Sequence, residues 1–433
     1  MSDSQPNEVP ELAHTDRAAR RRELAAAGPD AQRHLDKIRQ SLKLPNLVGV
    51  ETQTQALAGD ATGCPDRYLV RRLLAGADQR LLKEVFEQWY DGANCYRVTY
   101  RFGVQFTGYS SYCMTFERDP GNTHLVANFF RDVTANNYGV NLHRTMLFLK
   151  ESYENSNTAN LYHLLDGTAT GATVNADYLA NLERFVGAAK AYGVVVQVCL
   201  FMHHAVAAAS GCDLPRPVVL SGTPHERYRS FCNTQSPYLQ TQINFIYAVV
   251  QKLLPHWNVV YEVGNELRVP SPDATYNDTH LKAWIEWVAA RIRDKDAGHL
   301  ITTSTGAENE ALVNGSPLVQ YCSFHQGQWA SNIAAACDRA RNYGNKHLVA
   351  DDDGGSRELD KVKAWVRAAL DVRGGCRGSF NHKGATMQNA YDPLWMTKTV
   401  PGQESYGTPA QVLAAFADAR RNSSSPCARS EWE

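Results

Sequence analysis

Apolar runs alternate with helix-spaced apolar positions along most of this chain, starting near residue 97. Between Ile243 and Leu254 the apolar residues recur at helical spacing, and Pro255 ends the pattern. A short turn later, the apolar, β-branched run Val259–Val263 is typical of a buried strand. This stretch therefore predicts a helix, a turn and a strand buried on both faces.

Eight runs of this kind predict strands. They are Arg101–Thr107, Val140–Phe148, Val194–Phe201, Val259–Glu262, Leu300–Ser304, Leu318–Phe324, His347–Ala350 and Gly378–Phe380. Helical patterns lie between many of them, and alternation of strands with helices predicts a parallel sheet. Eight such units within about 325 residues predict an α/β fold of the (β/α)8 TIM barrel type. An open, doubly wound sheet is the alternative, but the chain lacks a Gly-rich phosphate turn and a Walker motif.

The segments outside this rhythm define the expected domain boundaries. Residues 1–96 contain two charged helical patterns and predict an N-terminal helical extension whose first residues are disordered. Residues 97–425 would form the barrel, and 426–433 a C-terminal tail. The extension is interpreted as a structural brace on the barrel.

Composition and charge narrow the class of protein. Hydrophobic residues make up 43% of 433 residues, enough for a large core. A net charge of −1 and a pI near 6.9 predict neither a nucleic acid nor a membrane as partner. The polar N-terminus has no apolar signal region, which predicts a cytoplasmic location, with non-classical export as the alternative. The ten cysteines form no Cys-x-x-Cys pair, and Cys199 is expected to be a reduced core thiol.

Polar side chains collect where the apolar runs stop. They are Asn141, His143 and Arg144 at the second strand, His203 and His204 at the third, Asn265 and Glu266 at the fourth, His325, Gln328 and Trp329 at the sixth, Asp351, Asp352 and Asp353 at the seventh, and Asn381 and His382 at the eighth. Parallel strands end on one face of a barrel, where TIM-barrel active sites lie. Helix caps and loop polar groups explain Asn381, Asp353 and His204 equally well. They do not explain Arg144 and Glu266, which sit against apolar residues and need charged partners.

Two of these strands resemble a known family. Gly139–Thr145 is similar to the second strand of the cellulase-like glycoside hydrolases of clan A, (β/α)8 enzymes in which an arginine ends this strand. Tyr261–Glu266 resembles their fourth-strand signature, in which an Asn-Glu pair carries the acid/base. The resemblance covers about residues 98–424 and implies a retaining glycosidase with Glu266 as general acid/base.

The seventh strand departs from that family. The family has a glutamate nucleophile there, followed by an aromatic residue and a glycine, whereas this chain has Asp351-Asp352-Asp353-Gly354. Alignment on the glycine puts Asp352 at the nucleophile position, with Asp351 as the next candidate. Retaining enzymes hold their carboxyl groups about 5–5.5 Å apart and inverting ones about 6.5–9.5 Å apart. An aspartate is shorter by about 1.3–1.5 Å, so inversion stays open beside retention.

The chemistry assigns a role to each candidate. Glycoside cleavage needs one protonated and one ionised carboxyl group, and Glu266 in a partly dry pocket suits the first. Arg144 is expected to hold the second carboxylate, and Asn265 to hydrogen-bond a sugar hydroxyl. The residues expected to bind the sugar are Arg144, Asn265, His203, His325, Trp329, Asn381 and His382, and orientation of the carboxylates is the alternative role of His203 and His325. Glu262, four residues before Glu266, is interpreted as a buried, paired structural acid.

Two other functions fit part of the pattern. The strand-end histidines and the 351–353 run could ligate a cation in a metal-dependent barrel hydrolase, which leaves the Asn-Glu pair unexplained. The missing glutamate fits a carbohydrate-binding pseudoenzyme on the same barrel. The main interpretation expects an oligosaccharide or glycoside substrate and neither a metal nor another cofactor.

Overall fold

The computed structural model describes residues 107–110, 114–116, 124–134, 140, 142–151, 161–192, 194–208, 213–256, 258–296, 299–305, 316–319, 321–324, 347–352, 359–370, 378–383, 395–397, 399, 405 and 407–421. The chain divides into the units 1–62 and 63–433, and every described residue belongs to the second. The predicted extension 1–96, the tail 426–433 and the candidates Asn141, His325, Gln328, Trp329 and Asp353 lie outside the described residues.

Eleven strand segments occur within these ranges. They are β1 (Thr107–Ser110), β2 (Leu142–Met146), β3 (Leu165–Asp166), β4 (Thr173–Val174), β5 (Val195–Met202), β6 (Val259–Asn265), β7 (Ile301–Thr302), β8 (Ser304–Thr305), β9 (Tyr321–Phe324), β10 (His347–Asp352) and β11 (Gly378–Lys383). β3 and β4 form a separate antiparallel hairpin. The other nine pair in parallel in the order β7-β6-β5-β2-β1-β11-β10-β9-β8.

The two ends of this order belong to one strand, which closes the sheet. β7 pairs with β6, with Tyr261 opposite Ile301, while β8 pairs with β9, with Ser304 opposite Ser323. Only Thr303 separates β7 from β8, so the nine segments make eight strands in a ring. The structure therefore confirms the predicted (β/α)8 barrel.

Helices surround the strands. They are α1 (His124–Thr134), α2 (Ala176–Ala191), α3 (His203–Ala207), α4 (Pro224–Phe231), α5 (Leu239–Leu253), α6 (Asp278–Arg293), α7 (Leu359–Leu370) and α8 (Pro409–Arg421). α5 ends two residues before Pro255, as its sequence predicts, because proline cannot continue a helix. α4 begins with a capping box in which Thr223 and Glu226 satisfy each other's backbone N–H groups. No described helix has the length and apolar character needed to cross a membrane.

The main core lies between strands and helices. Phe201 of β5 packs edge-on against Trp284 of α6 at 5.1 Å between ring centroids, and Phe148 packs against Phe245 of α5 at 4.8 Å. All four rings are at most 1% exposed. Because helices cover the outer side of the strands, β5 is buried along its whole length, which explains why its residues are apolar except for Gln197. Cys199 is a buried free thiol, as expected.

Strand boundaries differ from the predicted ones at the polar ends. β6, β10 and β11 continue to Asn265, Asp352 and Lys383, beyond the last apolar residue of each run. The first strand includes 108–110, which the prediction left out, while 101–106 lie outside the described residues. The backbone ladder continues wherever a neighbouring strand offers partners, whatever the side chains, so an apolar run underestimates strand length.

Candidate active site

A buried ion pair occupies the interior of the barrel beneath the strand ends. Glu262 is fully buried and Arg144 is 1% exposed. Glu262 accepts hydrogen bonds from Arg144 Nε at 2.7 Å and Nη2 at 2.6 Å, from Gln197 Nε2 at 2.8 Å and from Ser304 Oγ at 2.9 Å. A charge is tolerated inside a protein when it is paired and hydrogen-bonded in this way. The interpretation of Glu262 as a buried, paired acid is confirmed.

The described contacts of Arg144 are with two residues of β6. Its described hydrogen bonds go to Glu262 and, at 2.6 Å from Nη2, to Asn265 Oδ1, and its predicted contact with the second catalytic carboxylate stays a prediction. Asn265 is fully buried, and its Nδ2 finds no partner among the described residues. Because Oδ1 already accepts from Arg144, Asn265 is left with an N–H group to offer. A buried amide N–H without a partner is costly unless another molecule satisfies it.

The end of β6 departs from regular strand geometry. Strict alternation would place Glu262 and Asn265 on opposite faces of the sheet, yet Arg144 Nη2 contacts both. Glu266 follows with φ at 51°, in the left-handed region that is unusual for a residue other than glycine. A Cβ on Gly264 would lie 2.7 Å from Leu267 Cδ1, so only glycine lets Leu267 fold back here. This bend turns Glu266 to the rim of the barrel.

Glu266 lies at the rim with two described anchors. Its side chain is 25% exposed, and its Oε2 lies 2.8 Å from Nε2 of His204, which is 50% exposed. Its backbone N–H donates to Ser304 Oγ at 2.9 Å. The sequence left His204 open between the polar rim and a helix cap or loop residue, and the structure places it in α3, in contact with Glu266. The two residues are 62 positions apart, so no pattern within a short stretch of sequence predicts their contact.

His203 supports the rim from below. It is 5% exposed, and its Nδ1 lies 2.6 Å from the hydroxyl of Tyr228 in α4. Burial, together with nearby Arg268 and His204, lowers the pKa of His203 to about 4, so this ring is neutral near pH 7. His203 also supports His204, whose ring packs edge-on against it at 5.3 Å, and its predicted contact with a sugar stays a prediction.

The candidates from the last two strands share one face of the barrel. β10 ends with Asp351 and Asp352, which pair in register with Asn381 and His382 of β11. Parallel strands end on the same side of a closed barrel, so the backbone of these four residues lies at the rim that β6 reaches with Glu266. Among the described residues, no three His, Cys, Asp or Glu side chains converge as metal ligands.

His143 was predicted at this polar rim, and the structure corrects that prediction. Its ring lies on the outer side of β2, with ring centroids 5.4 Å from Phe129, 5.6 Å from Phe130 and 5.3 Å from Phe185. Because Arg144 points into the barrel, the preceding residue points towards the helices. Burial lowers the pKa of His143 to about 3.

We expect these two buried neutral histidines, His143 and His203, to make the fold sensitive to mild acid. Below pH 6.5 each of these histidines is protonated in the unfolded chain but stays neutral in the folded protein. Lowering the pH towards the folded-state pKa therefore lowers the free energy of unfolding. Each histidine lowers the free energy of unfolding by about 1.4 kcal/mol per pH unit, which is about 2 kcal/mol per histidine between pH 6.5 and pH 5. Urea unfolding at pH 7, 6 and 5 measures it. His143→Phe should flatten the slope, and Phe129→Leu, which alters the same aromatic cluster, should retain it. Equal slopes for wild type and His143→Phe would contradict the assignment.

Comparison with known proteins supports the architecture. No protein-family model and no curated protein matches the chain. Among solved structures, the endo-β-1,4-mannanase from Thermotoga petrophila is 13% identical, with 73% of this chain and 76% of that one covered and a TM-score of 0.51. A glycoside hydrolase family 5 mannosidase from Rhizomucor miehei is 11% identical over 73% of this chain and 92% of that one, with a TM-score of 0.49. The likeness to the Thermotoga protein shows that this chain has the same (β/α)8 fold.

Proposed function

We propose that this protein is a glycoside hydrolase that cleaves an O-glycosidic bond with two carboxyl groups. Glu266 is the general acid/base, and Asp352, or Asp351 beside it, is the nucleophile or base. The principal supporting observation is the placement of Glu266, which is partly exposed at the carboxyl end of β6, on the barrel face where β10 also ends. Cleavage of a glycosidic bond by this mechanism requires two carboxyl groups, one on each side of the bond.

The buried polar groups beneath the rim suit a hydroxyl-rich ligand. Asn265 has a buried Nδ2 with no partner in the described part of the chain, while its Oδ1 is held by Arg144. A sugar hydroxyl next to the reacting carbon would accept from this N–H. Such a contact strengthens as charge develops in the transition state, and it would orient the sugar ring between the two carboxyl groups.

Retention of anomeric configuration is part of the proposal. The support is the fourth-strand signature, which resembles a retaining group, and Asp352 then attacks the anomeric carbon directly. We expect proton NMR to show first the anomer that the substrate had. The opposite anomer would mean that a water enters between the carboxyl groups and that Asp352 acts as a base.

The experiment begins with a panel of aryl glycosides and oligosaccharides. β-1,4-mannan oligosaccharides belong in it, because the Thermotoga protein of the same fold is named an endo-β-1,4-mannanase. Hydrolysis of one glycoside that persists in a chelator supports the two-carboxylate proposal over the metal-dependent alternative. Sugar binding without turnover across the panel would favour the carbohydrate-binding pseudoenzyme, which the aspartate in place of glutamate also fits.

A further inference from the structure

The carboxylate of Glu266 and the ring of His204 form a pair that links the ends of two neighbouring strands. His204 is the second residue after β5 and the second residue of α3, and Glu266 directly follows β6. Nε2 of His204 and Oε2 of Glu266 are 2.8 Å apart. That distance is an ordinary hydrogen bond between a ring N–H and a carboxylate oxygen.

The ring of His204 is backed by buried groups. It packs edge-on against His203, with an interplanar angle of 83°, and the hydroxyl of buried Tyr228 holds His203. Arg268, two residues after Glu266, lowers the pKa of His203, and Glu266 itself raises it. Packing of this kind limits the positions that a half-exposed ring can adopt, and it prepares His204 to meet Glu266 in one orientation.

The backbone of Glu266 is anchored separately, from the other side. Ser304 Oγ accepts from the N–H of Glu266 and donates to Oε1 of Glu262 at 2.9 Å. The buried Arg144–Glu262 pair thus reaches the backbone of Glu266 through one hydroxyl. Ser304 holds the main chain of Glu266, and His204 contacts its carboxyl group.

We propose that His204 is a positioning residue for Glu266 and decides which of its oxygens transfers the proton. Resting on the proposed function, the inference is that the Nε2–H of His204 donates to Oε2, so a protonated Glu266 holds its hydrogen on Oε1. As the glycosidic C–O bond breaks, its electron pair stays with the leaving oxygen, which takes the proton from Oε1. The anomeric carbon gains a bond to the aspartate oxygen. Water later displaces that oxygen and returns its proton to Oε1.

The test compares substrates with different leaving groups. Both substrates carry the sugar that wild type hydrolyses. Departure of dinitrophenol needs little assistance from an acid, whereas departure of phenol needs much. His204→Leu should lower kcat on the phenyl glycoside by about 10–100-fold, with KM within about threefold, because a misdirected acid transfers its proton poorly. Its kcat/KM on the dinitrophenyl glycoside, which reports the first step alone, should fall by less than about threefold. His204→Gln, which keeps a donor, should recover most of the loss.

The control is a histidine–carboxylate pair of the same kind elsewhere. His163 Nε2 lies 2.7 Å from Asp166 Oδ1, with both side chains about half exposed, and His163→Leu should match wild type on both substrates. His204→Asn, whose amide is too short to reach Oε2, replaces His204→Leu if the latter does not fold. Equal losses on the two substrates, or none, would overturn the positioning role while the glycosidase proposal stands. A wild type that hydrolyses no glycoside would overturn both.

Discussion

Glu266→Gln should reduce hydrolysis of glycosides with poor leaving groups by about 10²–10⁴-fold, the usual contribution of a general acid or base. The amide has the shape of the carboxyl group, so sugar binding should persist, but it cannot transfer a proton to the leaving oxygen. Initial rates on a phenyl glycoside, together with calorimetric binding of the corresponding oligosaccharide, separate the two effects.

Glu286→Gln is the matched control for this change. Glu286 is a partly exposed helix residue 3.9 Å from Lys282, and its substitution should leave both rate and binding unchanged. A rate for Glu266→Gln within threefold of wild type would remove Glu266 from the mechanism. The same assay on Asp352→Asn and Asp351→Asn identifies the partner, because only the reacting aspartate should lose turnover on every leaving group.

Arg144→Met should lower the free energy of unfolding by about 3–5 kcal/mol, because it leaves the charge of Glu262 buried without its principal partner. The neutral hydrogen bonds from Gln197 and Ser304 would remain, and they replace only part of the interaction with a guanidinium. Equilibrium unfolding in urea, followed by circular dichroism, measures the change.

Two further variants test the cause. Arg144→Met combined with Glu262→Met removes both charges and should cost less than Arg144→Met alone, since no unpaired charge remains. Lys252→Met, which breaks an ion pair with Glu183 at the surface, should cost at most about 1 kcal/mol. A cost for Arg144→Met as small as that of Lys252→Met would show that the buried pair contributes little.

The barrel could be predicted because buried helices and strands have apolar residues at regular spacing along the sequence. α5 and β6 are examples, since helical spacing up to Leu254 and the apolar run from Val259 both reflect contact with one core. The Asn265–Glu266 pair could be picked out because it stands where the apolar run of β6 ends and because it resembles a known fourth-strand signature. His143 was misplaced because a buried neutral histidine and a rim histidine look alike in a sequence.

The partners of the polar residues could not be predicted in the same way. Arg144 meets Glu262 across 118 positions, and Ser304 meets Glu266 across 38. These contacts depend on the register between strands, on closure of the ring through residues 301–305 and on the bend at Gly264. None of the three has a periodic signature, because each is set by neighbours distant in the chain.

By itself, then, the sequence determined the rhythm of strands and helices, the face of the barrel where polar groups gather and the choice of Glu266 as the candidate acid. The tertiary structure alone decided that Arg144 serves a buried glutamate and that His204 meets the candidate acid. The physical reason is that burial acts on each residue separately, so the pattern of apolar residues along a short segment already shows it. Pairing of charges and hydrogen-bonding groups requires two distant segments to meet, and only the closed barrel brings them together.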